Sequence, residues 1–149
     1  MKVRLSVGEE LYEELSRALI RGGFELDDEA ELVLIETDKS LKYLPVRNAD
    51  GNRVHIAADE VIWIESYGHS VTIHTAEGLY QSGDRIYRLC LLLDPKQFLR
   101  ISNSVIIQRN KVKKIIPSLS MKFILVMADG AKVDVTRTYY NSFKEFFGL

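Results

Sequence analysis

Alternation of apolar and polar residues opens the chain: Val3, Leu5 and Val7 are separated by charged or hydroxyl side chains, the period of a half-buried strand. The period then lengthens. Leu11, Leu15, Ala18 and Leu19 recur at helical spacing, with Ser6 and Glu9 spaced as a capping box ahead of them and Gly22-Gly23 as a stop. Residues 31–36 read as a second strand between two glutamates. The result is a β-α-β unit too small to bury a core by itself.

From about residue 44 the pattern becomes a series of short apolar runs divided by turn signals, which predicts an all-β body. Strands are expected at 44–46, 53–56, 62–65, 71–74, 79–81, 98–101, 105–108, 112–116, 123–127 and 132–136. Asp50-Gly51, Glu77-Gly78 and Asp129-Gly130 supply hairpin turns. Ile86, Leu89, Cys90 and Leu93 share one face of a short helix within 84–93, which Asp94-Pro95 ends, and a terminal helix is expected at 140–147. Trp63, Phe98 and Phe123 are core candidates. The expected fold is mainly β, α+β overall, with an N-terminal extension at 1–45 and a β domain at 46–149.

Whole-chain charge hides a division along the sequence. Over 149 residues the net charge is −1, which by itself suggests no polyanionic partner. Residues 1–45, however, hold 11 acidic and 6 basic side chains, net −5, whereas 46–149 hold 10 and 14, net +4. Between Asp94 and Asp129 there is no acid, only Lys96, Arg100, Arg109, Lys111, Lys113, Lys114 and Lys122.

Catalytic chemistry finds little support. The chain has neither a Gly-x-Gly-x-x-Gly turn nor a phosphate-binding Walker loop. His55, His69 and His74 lack metal-ligand spacing, and Cys90, the single cysteine, sits in an apolar run. Asp59-Glu60, Glu65 and Asp84 fall at turns and strand ends, where carboxylates are usually solvated. Ser102 and Ser104 lack a nucleophile elbow. No catalytic residue, metal site or cofactor is expected. The longest unbroken apolar run, 123–128, is too short to span a bilayer, and no signal-peptide core precedes it. These features predict a soluble cytoplasmic protein.

What remains is a cationic stretch interspersed with hydrogen-bonding side chains, from Arg100 to Lys111, of a kind that suits a polyanion. The alternative is that Lys111, Lys113 and Lys114 are solvated charges that guard a strand edge. The run Phe98-Leu-Arg-Ile-Ser-Asn-Ser-Val-Ile-Ile-Gln-Arg-Asn-Lys-Val-Lys-Lys-Ile, followed by Asp129-Gly130 and Val135-Thr136-Arg137-Thr138-Tyr139, resembles the LytTR DNA-binding domain of bacterial transcription regulators. Asp59 to Glu65 is similar to that family's early strand, and the resemblance covers about 46–149. Two departures, Gln108 for the usual Asn and Ser102 where His is common, bear on which sequence is read.

The resemblance implies an elongated body of antiparallel sheets that binds duplex promoter DNA through loops, without a recognition helix. It implies base contacts from His69, Asn103 and Arg137, and phosphate contacts from Arg100, Ser104, Arg109, Lys111, Lys113 and Lys114. Each base-contact candidate also has a plainer role open to it: His69 as an exposed turn residue, Asn103 as a turn-holder, Arg137 as an ion-pair partner of Asp134 or Glu145. The family's tandem DNA sites imply a homodimer on DNA. Forty-five residues are too few for a receiver domain, so the extension resembles that of members controlled by a regulatory protein partner, sometimes a membrane protein. The alternative function is a protein-interaction module whose acidic N-terminal unit binds that partner.

Overall fold

A computed structural model describes residues 1–36 and 40–149. The chain divides into two compact units, Met1–Leu41 and Lys42–Leu149. The strand Tyr43–Arg47 belongs to the second unit, so a boundary after residue 45 would cut through it.

The first unit contains β1 (Lys2–Ser6), α1 (Glu9–Arg21), β2 (Glu25–Leu26) and β3 (Leu32–Ile35). Its strands are parallel in the order β2-β1-β3, with Val3 opposite Leu32 and Ser6 opposite Ile35. The short β2 adds a strand to the expected β-α-β arrangement. The capping box does not form: Ser6 stays in β1, Gly8 precedes the helix, and the Gly8 N–H donates to Glu36 Oε1 at 2.6 Å. Of the expected apolar stripe, Leu11 is exposed, and no α1 residue is fully buried.

The second unit is all-β except for two α-helices and three single 3-10 turns. Its strands are β4 (Tyr43–Arg47), β5 (Arg53–Ala57), β6 (Val61–Tyr67), β7 (Ser70–Thr75), β8 (Gly78–Ser82), β9 (Phe98–Ser102), β10 (Val105–Gln108), β11 (Val112–Ser118), β12 (Lys122–Met127) and β13 (Lys132–Val135). Helix α2 (Ile86–Leu92) lies between β8 and β9, and α3 (Tyr140–Phe147) follows β13. Two antiparallel sheets result, a seven-stranded one ordered β5-β4-β8-β7-β6-β10-β9 and a three-stranded one ordered β11-β12-β13.

The alternation in sequence explains the faces. Val71, Ile73 and Thr75 are buried along β7, and Phe123, Leu125 and Met127 along β12, with less buried residues between them. Helix α2 turns Ile86, Leu89 and Leu92 inward. One core cluster joins the sheets and α3: Ile62, Trp63, Ile101, Ile107, Leu125 and Phe143 are among its buried members. The Phe143 ring lies 5.0 Å from that of Phe123 and 4.7 Å from that of Phe147. Trp63, Phe98 and Phe123 are all buried, as expected of core residues. Half-buried Cys90 has its thiol pushed up by burial, an effect that Arg100 opposes, which disfavours a reactive thiolate. Among the described residues no helix is long and apolar enough to cross a membrane.

A polar link reinforces the junction of the sheets. Trp63 Nε1 donates to Asp129 Oδ2 at 2.9 Å, while Asp129 Oδ1 accepts the Ala131 N–H at 3.0 Å inside the β12–β13 turn. A face of the indole stacks on the His74 ring at 3.8 Å, and His74 Nε2 lies 3.0 Å from Glu65 Oε1. This buried junction should dominate stability. In urea unfolding, Phe143→Ala should cost about 3–5 kcal/mol, whereas Leu91→Ala, on the exposed side of α2, should stay within about 0.5 kcal/mol of wild type.

Candidate nucleic-acid interface

Strand direction carries three turns to one end of the second unit. Strand β6 runs toward the turn that leads into β7, with Tyr67 opposite Ser70, so Gly68 and His69 form a two-residue loop. Gly68 has φ +60°, the left-handed geometry that a tight hairpin needs at its first central position and that glycine adopts without strain. His69 therefore stands exposed at the apex. Strand β9 runs in the same sense as β6 and ends at Ser102, opposite Val105, which leaves Asn103 and Ser104 as the next turn. Strand β13 ends at Val135, and Arg137–Tyr139 form a single 3-10 turn before α3.

Main-chain bonds tie these turns together. Ser66 N–H donates to Ser104 O at 2.8 Å, joining the first turn to the second. Thr136 N–H donates to Ile101 O at 3.0 Å, joining the third to β9. His69, Asn103 and Arg137 are thus held at one end of the molecule's β body, and all three are exposed. Arg137 makes no ion pair with Asp134 or Glu145 among the described residues.

The Asn103 turn is braced from within. Ser104 N–H donates to Ser102 Oγ at 3.2 Å, and Arg100 Nε donates to Ser102 O at 3.1 Å. Arg100 also donates to the Asn103 carbonyl through its terminal nitrogen, so this guanidinium shapes the loop. Tyr139 Oη donates to Asn103 Oδ1 at 3.3 Å across 36 residues of sequence. No sequence spacing signals that contact.

The expected phosphate contacts fall into two groups. Arg100 and Ser104 lie with the three turns. Arg109 and Lys111 follow β10 in a 3-10 turn whose neighbours are Gln97 and Ala128, at the opposite end of the strands. Arg109 is four residues beyond Val105, about 13 Å at the usual strand rise. Its guanidinium carbon sits 5.3 Å and 5.5 Å from the ring centroids of Phe146 and Phe147, so this cation also packs against α3. Exposed Lys113 and Lys114 lie near the same start of β11, where a bulge falls between Val112 and Lys114. Lys122, by contrast, begins β12 opposite Ser118, beside Phe123, which pairs with Val135. It shares the end that carries Arg137, although it was not among the expected contacts.

The two departures from the family pattern have structural explanations. Gln108 is buried, and its Nε2 donates to Asp59 O at 3.2 Å and to Val61 O, satisfying carbonyls of the turn before β6. Ser102 is buried and holds the Asn103 turn through its hydroxyl. Neither side chain faces outward, so any effect on the sequence read passes through the elements they brace. Gln108→Ala should therefore lower stability in urea by about 1–3 kcal/mol, the penalty for leaving buried carbonyls without a donor.

Comparison with known proteins gives this geometry a family. A family model described as the LytTr DNA-binding domain matches residues 51–148. Transcriptional regulatory protein LytR of Staphylococcus aureus (strain N315) is 27% identical over 126 residues, 82% of this chain and 50% of that protein. Sensory transduction protein LytT of Enterococcus faecalis is 26% identical over 107 residues, 71% of this chain and 43% of that protein. The chain thus spans about half the length of the curated relatives it matches. A solved LytTr DNA-binding domain from Bacillus cereus matches at a TM-score of 0.68 and 22% identity, covering 72% of this chain and 98% of that one, and so shares the fold. With the family model spanning most of the second unit, this chain belongs to the LytTR family of DNA-binding domains.

Proposed function

We propose that this chain is a transcription regulator that binds double-stranded promoter DNA and reads bases through the turns bearing His69, Asn103 and Arg137. The observation that carries this reading is the pair of main-chain bonds, Ser66 to Ser104 and Thr136 to Ile101, which hold the three turns at one end. A surface that reads several base pairs needs its contacts fixed relative to one another before binding, and main-chain bonds provide that rigidity. The side chains fit the task. An arginine forks onto guanine O6 and N7, a histidine donates to an acceptor, and an asparagine offers amide donors.

Phosphates are met by Ser104 and Arg100 beside the turns, with Lys122 added from the same end. Arg109, Lys111, Lys113 and Lys114 act farther along the strands, on phosphates flanking the bases read. Their contribution is independent of sequence and falls as salt rises. Two copies on tandem sites would double the reading surface. The N-terminal unit supports a separate role as the point where a protein partner acts, because its edge strand β3 leaves Leu32, Leu34 and Ile35 exposed on an acidic unit.

Selection from randomised duplex DNA at several salt concentrations tests the reading. Enrichment of a defined sequence and steep loss of affinity with salt are expected; no enrichment together with salt-independent binding would contradict it. On the selected site, Arg137→Ala and Asn103→Ala should each cost about 1–3 kcal/mol and relax one base position, whereas Lys113→Ala should weaken all sequences alike.

A further inference from the structure

We propose that Tyr139 determines what Asn103 can read, by holding the amide with its NH2 group outward. The inference rests on the base-reading role of Asn103 given above and adds a second residue and a chemical preference to it.

A carboxamide presents one acceptor oxygen and two N–H donors. The asparagine fork onto adenine needs both kinds of atom turned toward the base, since adenine offers the N7 acceptor and the N6 donor in the major groove. Here Asn103 Oδ1 is engaged, accepting the Tyr139 hydroxyl at 3.3 Å. The tyrosine is a firm anchor, because it packs against the buried cluster that contains Phe123 and Phe143 and its hydroxyl reaches the turn. The turn's backbone is equally constrained. Arg100 binds the carbonyls of Ser102 and Asn103, Ser102 Oγ accepts the Ser104 N–H, and Thr136 fastens the Tyr139 segment to Ile101. With both sides fixed, the amide keeps its oxygen inward and turns its donors out.

Asn103 is then a donor-only reader. It favours base edges that present acceptors: purine N7, guanine O6 and thymine O4 in the major groove, or adenine N3 and thymine O2 in the minor groove. It does not make the adenine fork that an unrestrained asparagine makes. Tyr139 touches no base in this account and acts as a positioning residue.

The test uses the full chain and its selected duplex, with the position read by Asn103 identified as the one that Asn103→Ala relaxes. Tyr139→Phe keeps the packed ring and removes the hydroxyl. Discrimination at that one position should fall about fivefold, the worth of one neutral hydrogen bond, while the position relaxed by Arg137→Ala and the melting temperature stay unchanged. In an Asn103→Ala background the same substitution should have no further effect on discrimination. Undiminished discrimination in Tyr139→Phe, or an equal loss with and without Asn103, would overturn the proposal.

Inosine identifies the groove and the chemistry together, since an I·C pair matches G·C in the major groove but lacks the minor-groove amine. Under donor-only reading, a site that prefers G·C should bind I·C as well as G·C, through major-groove acceptors. A site that prefers A·T through minor-groove acceptors should bind I·C as well as A·T. A site that prefers A·T and rejects I·C is tested with a purine·T pair, which lacks the N6 amine and keeps thymine O4: binding equal to A·T fits donation to thymine O4, whereas loss of binding would show that the N6 donor of adenine is read, which overturns the proposal while leaving Asn103 a base contact. If Asn103→Ala relaxes no position, the base-reading role fails and the proposal with it.

Discussion

The hydrogen bond from Thr136 N–H to Ile101 O is the link on which the surface depends. It joins the end of the three-stranded sheet to the edge strand of the seven-stranded one, at the level where both chains turn. Without it, the Arg137 segment would lose its main-chain tie to β9 and be held by β13, α3 and the Tyr139 side chain alone. With it, and with Ser66 bonded to Ser104, three turns contributed by residues far apart in sequence become one surface. The bond lies next to buried Ile101 and Val135, so the shared core excludes the water that would compete for it. Trp63 and Asp129 provide a second, side-chain link between the same two sheets.

This arrangement divides the labour among the cations in a way that their positions in sequence do not reveal. The acid-free stretch from Lys96 to Lys122 reads as one basic patch, yet its members occupy different places. Arg100 braces a turn, Arg109 packs on Phe146 and Phe147, Lys111 and Lys113 lie at the end away from the three turns, and Lys122 lies at the same end as Arg137. Antiparallel strands place residues a few positions apart at opposite ends of a sheet. Charge clustering along the chain is therefore a poor guide to charge clustering in space.

Much of the second unit was legible because its signals are local. Alternation marked β7 and β12, Asp129-Gly130 and Asp50-Gly51 marked turns, and Ile86 and Leu89 marked the inner face of α2. In the first unit the capping box failed because β1 extends through Ser6, leaving Gly8 to start the helix. Strand β2 went unnoticed because two residues carry no period. At the candidate interface, the location of the turns was legible from the family resemblance, whereas the partners of Asn103 were not. Tyr139 lies 36 residues away and reaches Asn103 only through the pairing of two different sheets. The role of Gln108 is hidden for a related reason, since the carbonyls it satisfies lie some 50 positions earlier in the chain.

A DNA-binding face at one end of the β body would leave a residue-by-residue signature. Amide chemical-shift mapping of the full chain, titrated with its selected duplex, tests it most directly. Shifts should concentrate at residues 66–70, 102–105 and 136–139, with smaller, salt-sensitive ones at 109–114. Shifts confined to 109–114 or to the N-terminal unit, with the three turns unmoved, would contradict it.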